Sequence, residues 1–161
     1  MDFVLAAILL GVGATAITDV WALIRRALFG VPLPNFGFVG RWFAHLWRGR
    51  FRHESIAAAS PARGEVAIGW VAHYAIGIAF AALLLAICGL DWLRAPTLTP
   101  ALLLGIATVA APFFILQPGM GAGIAASRAP NPAAARLHSV LTHVAFGFGL
   151  YCAAWAVRLL S

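Results

Sequence analysis

The stretch from Glu65 to Gly89 reads EVAIGWVAHYAIGIAFAALLLAICG. Beyond Glu65 it holds no acid, lysine or arginine, and a bilayer crossing needs only about 20 such residues at roughly 1.5 Å rise each. It predicts a membrane-spanning helix. Inside it, His73 to Ala79 (HYAIGIA) has a near-copy at His143 to Gly149 (HVAFGFG). Each histidine has a small residue four positions away on both sides, Gly69 and Gly77 for the first, Ser139 and Gly147 for the second. On a helix this spacing gives a stripe of small, histidine and small side chains that a neighbouring helix can approach closely.

The rest of the chain has the same character. Of its 161 residues 63% are hydrophobic and 10% charged, with a mean hydropathy of +0.93, more apolar surface than a soluble domain can hide. Residues 3–24, 99–116 and 138–157 are also long and apolar enough to cross a bilayer. The expectation is an all-α, polytopic membrane protein: a single domain over 1–161 built as a four-transmembrane-helix bundle. The first run reads as a retained span and not a cleaved leader, because Met1-Asp2 is acidic and the run continues past Ala14-Thr15-Ala16 to Arg25-Arg26. Cys88 and Cys152 lie in separate apolar runs without ligand spacing and read as packing residues.

Arginine placement predicts the orientation. Arg25, Arg26, Arg41, Arg48, Arg50, Arg52 and Arg63 fall between the first and second spans, Arg128 and Arg136 between the third and fourth, and only Arg94 and Arg158 on the other side. The positive-inside rule then puts both longer connections in the cytoplasm and both termini on the outer side. Trp21 and Trp70 near the inner ends of spans, with Trp92 and Trp155 near the outer ends, fit an aromatic belt.

Within the first cytoplasmic connection, residues 37–53 carry Phe38, Val39, Trp42, Phe43, Leu46 and Trp47 at helical spacing, with Arg41, His45, Arg48 and Arg52 largely opposite. This predicts an amphipathic helix lying in the headgroup layer, with Arg41, Arg48, Arg50 and Arg52 against anionic headgroups. On this reading His45, His53 and His138 meet solvent or headgroups. Nothing resembles a nucleic-acid-binding motif, a nucleophile elbow, a Walker loop or a Rossmann fingerprint.

Three ionisable groups sit inside the spans. Asp19 lies six residues before Arg25, His73 eight after Glu65 and His143 seven after Arg136, which puts all three roughly 9 to 12 Å inside one boundary. Thr15, Thr18, Gly11 and Ala22 give Asp19 a small, polar helix face. The third span offers Thr108 and Pro112 and then Gln117-Pro118-Gly119-Met120-Gly121-Ala122-Gly123, where proline and glycines should break the helix and free carbonyls. Arg128 follows, within reach of Asp19 or of a headgroup phosphate.

Asp19, His73, His143, Gln117, Thr15 and Arg128 are therefore the expected ligand-binding residues, for a cation, proton or small polar ligand. Asp19, His73 and His143 also match the ligand types of a metal site, and two facing histidines those of haem. The alternatives are an intramembrane metal- or haem-dependent enzyme and a non-catalytic assembly or lipid-binding subunit in which the polar groups hold helices together. Four short spans make a meagre pathway, so transport implies a homo-oligomer.

The first hairpin resembles the second. Leu10-Gly11-Val12-Gly13-Ala14-Thr15 matches Leu104-Gly105-Ile106-Ala107-Thr108, as the two histidine runs match each other, which suggests a duplicated helical hairpin. The block from Gly11 to Asp19, the His73 block, the run Phe113-Phe114-Ile115-Leu116-Gln117-Pro118-Gly119-Met120-Gly121 with Ala126-Ser127-Arg128, and His143 to Tyr151 together resemble a bacterial inner-membrane family catalogued as domain of unknown function 2938. The resemblance implies a small polytopic inner-membrane protein and supplies no activity, substrate or catalytic residue.

Overall fold

Helix α1, Phe3–Phe29, starts where the Asp2 carboxylate accepts a hydrogen bond from the Leu5 amide at 2.9 Å. It ends at Gly30, whose left-handed backbone (φ 64°) turns the chain out. The helix thus outlasts the expected span end and carries Arg25 and Arg26 in its final turns, because charge does not end a helix and a left-handed glycine does. A computed structural model describes residues 1–160; among them every regular element is helical.

Helix α2, Phe36–Leu46, is followed by a loop into α3, Glu65–Cys88. Residues 47–53 do not extend α2 as expected, since the chain turns at Gly49 with φ 78°. A short 3₁₀ turn, Leu90–Arg94, leads to α4, Leu98–Ala107. The third stretch then changes pitch: Pro112 cannot donate to the turn before it, and Pro112–Leu116 forms a π-helical turn running into α5, Gln117–Met120. Gly121, with φ 95°, ends α5. Helix α6, Pro132–Leu160, opens with proline in its first turn and Asn131 Oδ1 accepting from the Ala134 amide at 3.1 Å, ahead of the expected start at His138. Phe3–Phe29, Glu65–Cys88, Leu98–Met120 and Pro132–Leu160 are the four helical stretches long and apolar enough to cross a membrane.

The chain forms two compact units. The first comprises Met1–Leu33, Tyr74–Thr108 and Leu141–Ser161. Its core is mostly small or aliphatic: Ala6, Leu10, Ala14, Ala81, Leu84, Ala101, Leu150 and Ala154 are buried, with Phe146 and Trp92 beside them. Glycines set how near the helices come. A methyl group added at Gly11 of α1 would lie 2.7 Å from Ile78 N and 2.9 Å from Gly77 C in α3. One at Gly105 of α4 would lie 2.6 Å from Gly147 Cα and from the His143 carbonyl in α6. The small-residue stripes beside both histidines therefore do admit a neighbouring backbone. Outward, Val20, Leu23, Ile87 and Leu103 are exposed, an apolar exterior around a small-residue interior that suits lipid contact.

The second unit comprises Pro34–His73 and Val109–Val140. Here α2 crosses the start of α3 with backbones in contact: a methyl group at Gly40 would collide with the Glu65 carbonyl, and one at Gly69 with the Phe36 carbonyl. The buried face of α2 is Gly37, Gly40, Arg41, Trp42 and His45. This corrects the expected facing of α2. Arg41 and His45, expected to face outward, are turned into the protein beside Trp42 of the aromatic set, where carbonyls and a carboxylate receive them.

Candidate functional site

In the first unit, Gly11, Thr15, Thr18 and Ala22 form a buried stripe along α1. Asp19 beside it is half-buried, and the Tyr74 hydroxyl donates to Asp19 Oδ2 at 3.0 Å. Tyr74, the residue after His73 in the HYAIGIA run, was not among the expected site residues, yet it is the one that holds this carboxylate. Thr15 Oγ1 is enclosed against Gly77 and has no hydrogen-bond partner.

His143 is fixed by the helix break. The Thr108 hydroxyl donates to the Gly105 carbonyl at 2.6 Å and lies 2.9 Å from His143 Nδ1. A hydroxyl has one hydrogen, so with that hydrogen on Gly105 the ring must donate from Nδ1. The neutral imidazole then carries its lone pair on Nε2.

In the second unit, His73 packs its ring on Phe36 (4.5 Å between centroids) and Trp70 (5.9 Å). Gln117 Nε2 donates to Ser139 Oγ at 3.3 Å, while Gln117 Oε1 is enclosed without a partner. Arg128 is exposed. Among the described residues no three His, Cys, Asp or Glu side chains are grouped so as to hold a metal ion. An apolar groove of about 300 Å³, lined by Leu9, Gly13, Ala153, Ala156 and Val157 among others, contains none of the expected site residues.

The densest polar cluster holds the loop after α2. Arg41 Nε and Nη2 donate to the two Glu65 carboxylate oxygens, both at 2.8 Å. Its Nη1 reaches the carbonyls of Ile56, Ala57 and Ala59 at 3.1, 3.2 and 3.0 Å. The hydrogen bond to Glu65 pushes the Arg41 pKa above its ordinary value. Arg41 thus does not share the exposure of Arg48, Arg50 and Arg52, which lie on the surface.

His45 and His53 are buried and paired, Nδ1 to Nε2, at 2.8 Å. This overturns the expectation that they meet solvent or headgroups. The breaker sequence after Pro118 explains it: α5 stops at Met120, so the Gly119 and Met120 carbonyls accept from the His53 and Ile56 amides, each at 3.0 Å. Trp42 completes the cluster, its Nε1 donating to the Phe51 carbonyl at 2.8 Å while its ring lies against Gly119. The carbonyls expected to serve a ligand are those that anchor this loop.

A small-residue interior with polar side chains within it defines the class: a small, all-helical protein with four helical stretches long and apolar enough to cross a membrane. The chain belongs to the family described as Protein of unknown function (DUF2938), which matches residues 8–157, as the sequence blocks had suggested. Comparison with curated proteins and with solved structures returns no match.

Proposed function

We propose that this chain is a multi-pass protein of the bacterial inner membrane, with both termini periplasmic, whose interior site binds a proton, cation or small polar ligand and opens toward the cytoplasm. In this reading Asp19 supplies negative charge and His73 and His143 accept and release protons. Thr15 and Gln117 offer neutral oxygens, and Arg128 stands at the mouth. Arg48, Arg50 and Arg52 face anionic headgroups, and the two hairpins descend from one duplicated unit. Passage across the membrane by four short spans requires a homo-oligomer.

The observation that carries the reading is an enclosed oxygen in each unit, Thr15 Oγ1 in the first and Gln117 Oε1 in the second, neither with a protein partner. Buried polar atoms are nearly always satisfied, so water or a ligand is the natural occupant. The Nε2 lone pair of His143 and the Asp19 carboxylate add acceptors within membrane-length helices, where ionisable groups are otherwise costly. A proton or polar ligand fits better than a three-ligand metal ion, given how the His, Cys, Asp and Glu side chains are distributed.

The test is proton uptake into liposomes that enclose a pH-sensitive dye, under an imposed potential, with infrared difference spectra of the carboxyl region recorded as pH and cations are varied. Wild-type protein is expected to acidify the lumen faster than protein-free liposomes and to show an Asp19 carboxyl band that Asp19→Asn removes. Equal uptake and identical spectra for wild type and Asp19→Asn would end the proposal.

A further inference from the structure

Arg25 lies near the end of α1 remote from Asp2, and only 6% of it is exposed. Its Nε–H is fully enclosed without a hydrogen-bond partner. Among the described residues no carboxylate, carbonyl or hydroxyl accepts from the rest of its guanidinium either. The contact it does make is with the Trp21 ring, one turn back, with Arg25 Cζ 5.9 Å from the ring centroid. Trp21 Nε1 is likewise enclosed and unpartnered. Asp19 cannot serve Arg25 from within α1, because six positions turn the helix by about 240°.

A permanently charged guanidinium that is largely buried and has no acceptor in the protein is disfavoured, most of all at its enclosed Nε–H, unless a bound group accepts from its N–H groups. Two orphaned donors at neighbouring positions on one helix, one of them charged, describe half of an anion site. The surroundings narrow the anion. Leu23, Ile24, Leu28 and Phe29 are exposed and apolar, and Arg26 is exposed beside them, so this end of α1 combines a tail-compatible surface with basic charge. Guanidinium presents a planar fork that matches phosphate oxygens, and an indole N–H beside it suits the interfacial level.

We infer that Arg25 and Trp21 form a phosphate-binding site, occupied by the headgroup phosphate of a phospholipid or by a free phosphate, which supplies the acceptors that the protein withholds. This site is separate from the Asp19 reading and does not rest on it.

The experiment is native mass spectrometry of the detergent-purified chain, with binding followed by tryptophan fluorescence. The probes are short-chain phosphatidylglycerol, diacylglycerol of the same chains and inorganic phosphate. Wild-type protein is expected to retain one phosphatidylglycerol and no diacylglycerol. Arg25→Gln should weaken retention about tenfold or more, as loss of a charge-assisted bond does. Arg25→Lys, which keeps charge without the fork, should weaken it several-fold, whereas Arg94→Gln, which removes an exposed arginine paired only with Asp91, should retain the lipid as wild type does. Displacement by millimolar phosphate would identify the phosphate group alone as the ligand, and resistance to displacement would identify the lipid. If Arg25→Gln and Arg25→Lys, with native helix content and elution, hold phosphatidylglycerol and phosphate as wild type does, or if diacylglycerol is held equally well, the site does not exist.

Discussion

His45 Nδ1 lies 2.8 Å from His53 Nε2, and the outer nitrogen of each ring faces a backbone carbonyl, Ser60 O at 3.0 Å from His45 and Gly119 O at 3.2 Å from His53. Carbonyls only accept, so each outer nitrogen needs a hydrogen, and the inner contact needs one more. Three hydrogens over four nitrogens is one more than two neutral imidazoles carry. The pair therefore holds one positive charge when all three bonds are made. Glu65, paired with Arg41, is near enough for its charge to act on His45, and Glu54 in the loop is exposed.

Loop protection should consequently depend on both rings. His45→Phe or His53→Phe removes the shared contact and leaves a carbonyl facing an apolar ring, a loss of about 1 kcal/mol per bond and so a several-fold loss of protection. Hydrogen exchange at the amides of residues 53 and 56 should quicken in either variant. Unchanged exchange would refute the pairing.

Replacing Arg41 should be among the most destabilising changes in the second unit. Arg41→Ala leaves Glu65 and the carbonyls of Ile56, Ala57 and Ala59 without their donor, and stranding several acceptors at once is costlier than removing an exposed charge. Arg41→Lys should recover only part, since an ammonium cannot both fork onto a carboxylate and reach the loop carbonyls. Unfolding in detergent measures both. A loss for Arg41→Ala no larger than that for Arg48→Ala, whose side chain is exposed, would show that the pair behaves as a surface contact.

Gly11→Ala and Gly105→Ala should be alike in effect, each costing about 1 to 3 kcal/mol by overpacking a closed helix crossing, because each methyl group would meet the facing backbone under 3.0 Å away. Gly11 and Gly105 occupy matching places in the two sequence repeats, so a similar loss at both is also what a duplicated hairpin requires. Thermal unfolding of the two variants beside wild type provides the check, and a tolerated methyl group at either glycine would remove that crossing from the account.

What the sequence made legible was what lipid and helix geometry impose directly. The four apolar runs and the glycines flanking His73 and His143 follow from hydropathy and the 3.6-residue period, and all have counterparts in the structure. Helix ends were less legible, because Arg25 and His138 mark a change in hydropathy while Gly30 and Asn131 mark the actual termini. Least legible was the α2 loop. His53 meets Gly119 across 66 residues, and no local pattern in the charged segment signals that Arg41 and His45 turn inward. Tyr74 gave no signal of its own, since a phenol in an apolar run reads as packing and its bond to Asp19 spans 55 residues.

The Thr108 and His143 geometry fixes a tautomer that can be read directly. With the hydroxyl hydrogen on the Gly105 carbonyl, His143 donates from Nδ1 to Thr108 Oγ1 and keeps Nε2 as an acceptor. Nitrogen-15 chemical shifts of the ring should therefore show a protonated Nδ1 and an unprotonated Nε2 near neutral pH. Thr108→Ser keeps the hydroxyl and should preserve this pattern. Thr108→Val removes the acceptor, so the preference for Nδ1–H should be lost at a stability cost of about 1 kcal/mol, with the ring nitrogen shifts moving toward a mixture. An Nε2–H ring in wild type would reverse the donor assignment at Thr108 and leave His143 with no lone pair to offer a ligand at Nε2.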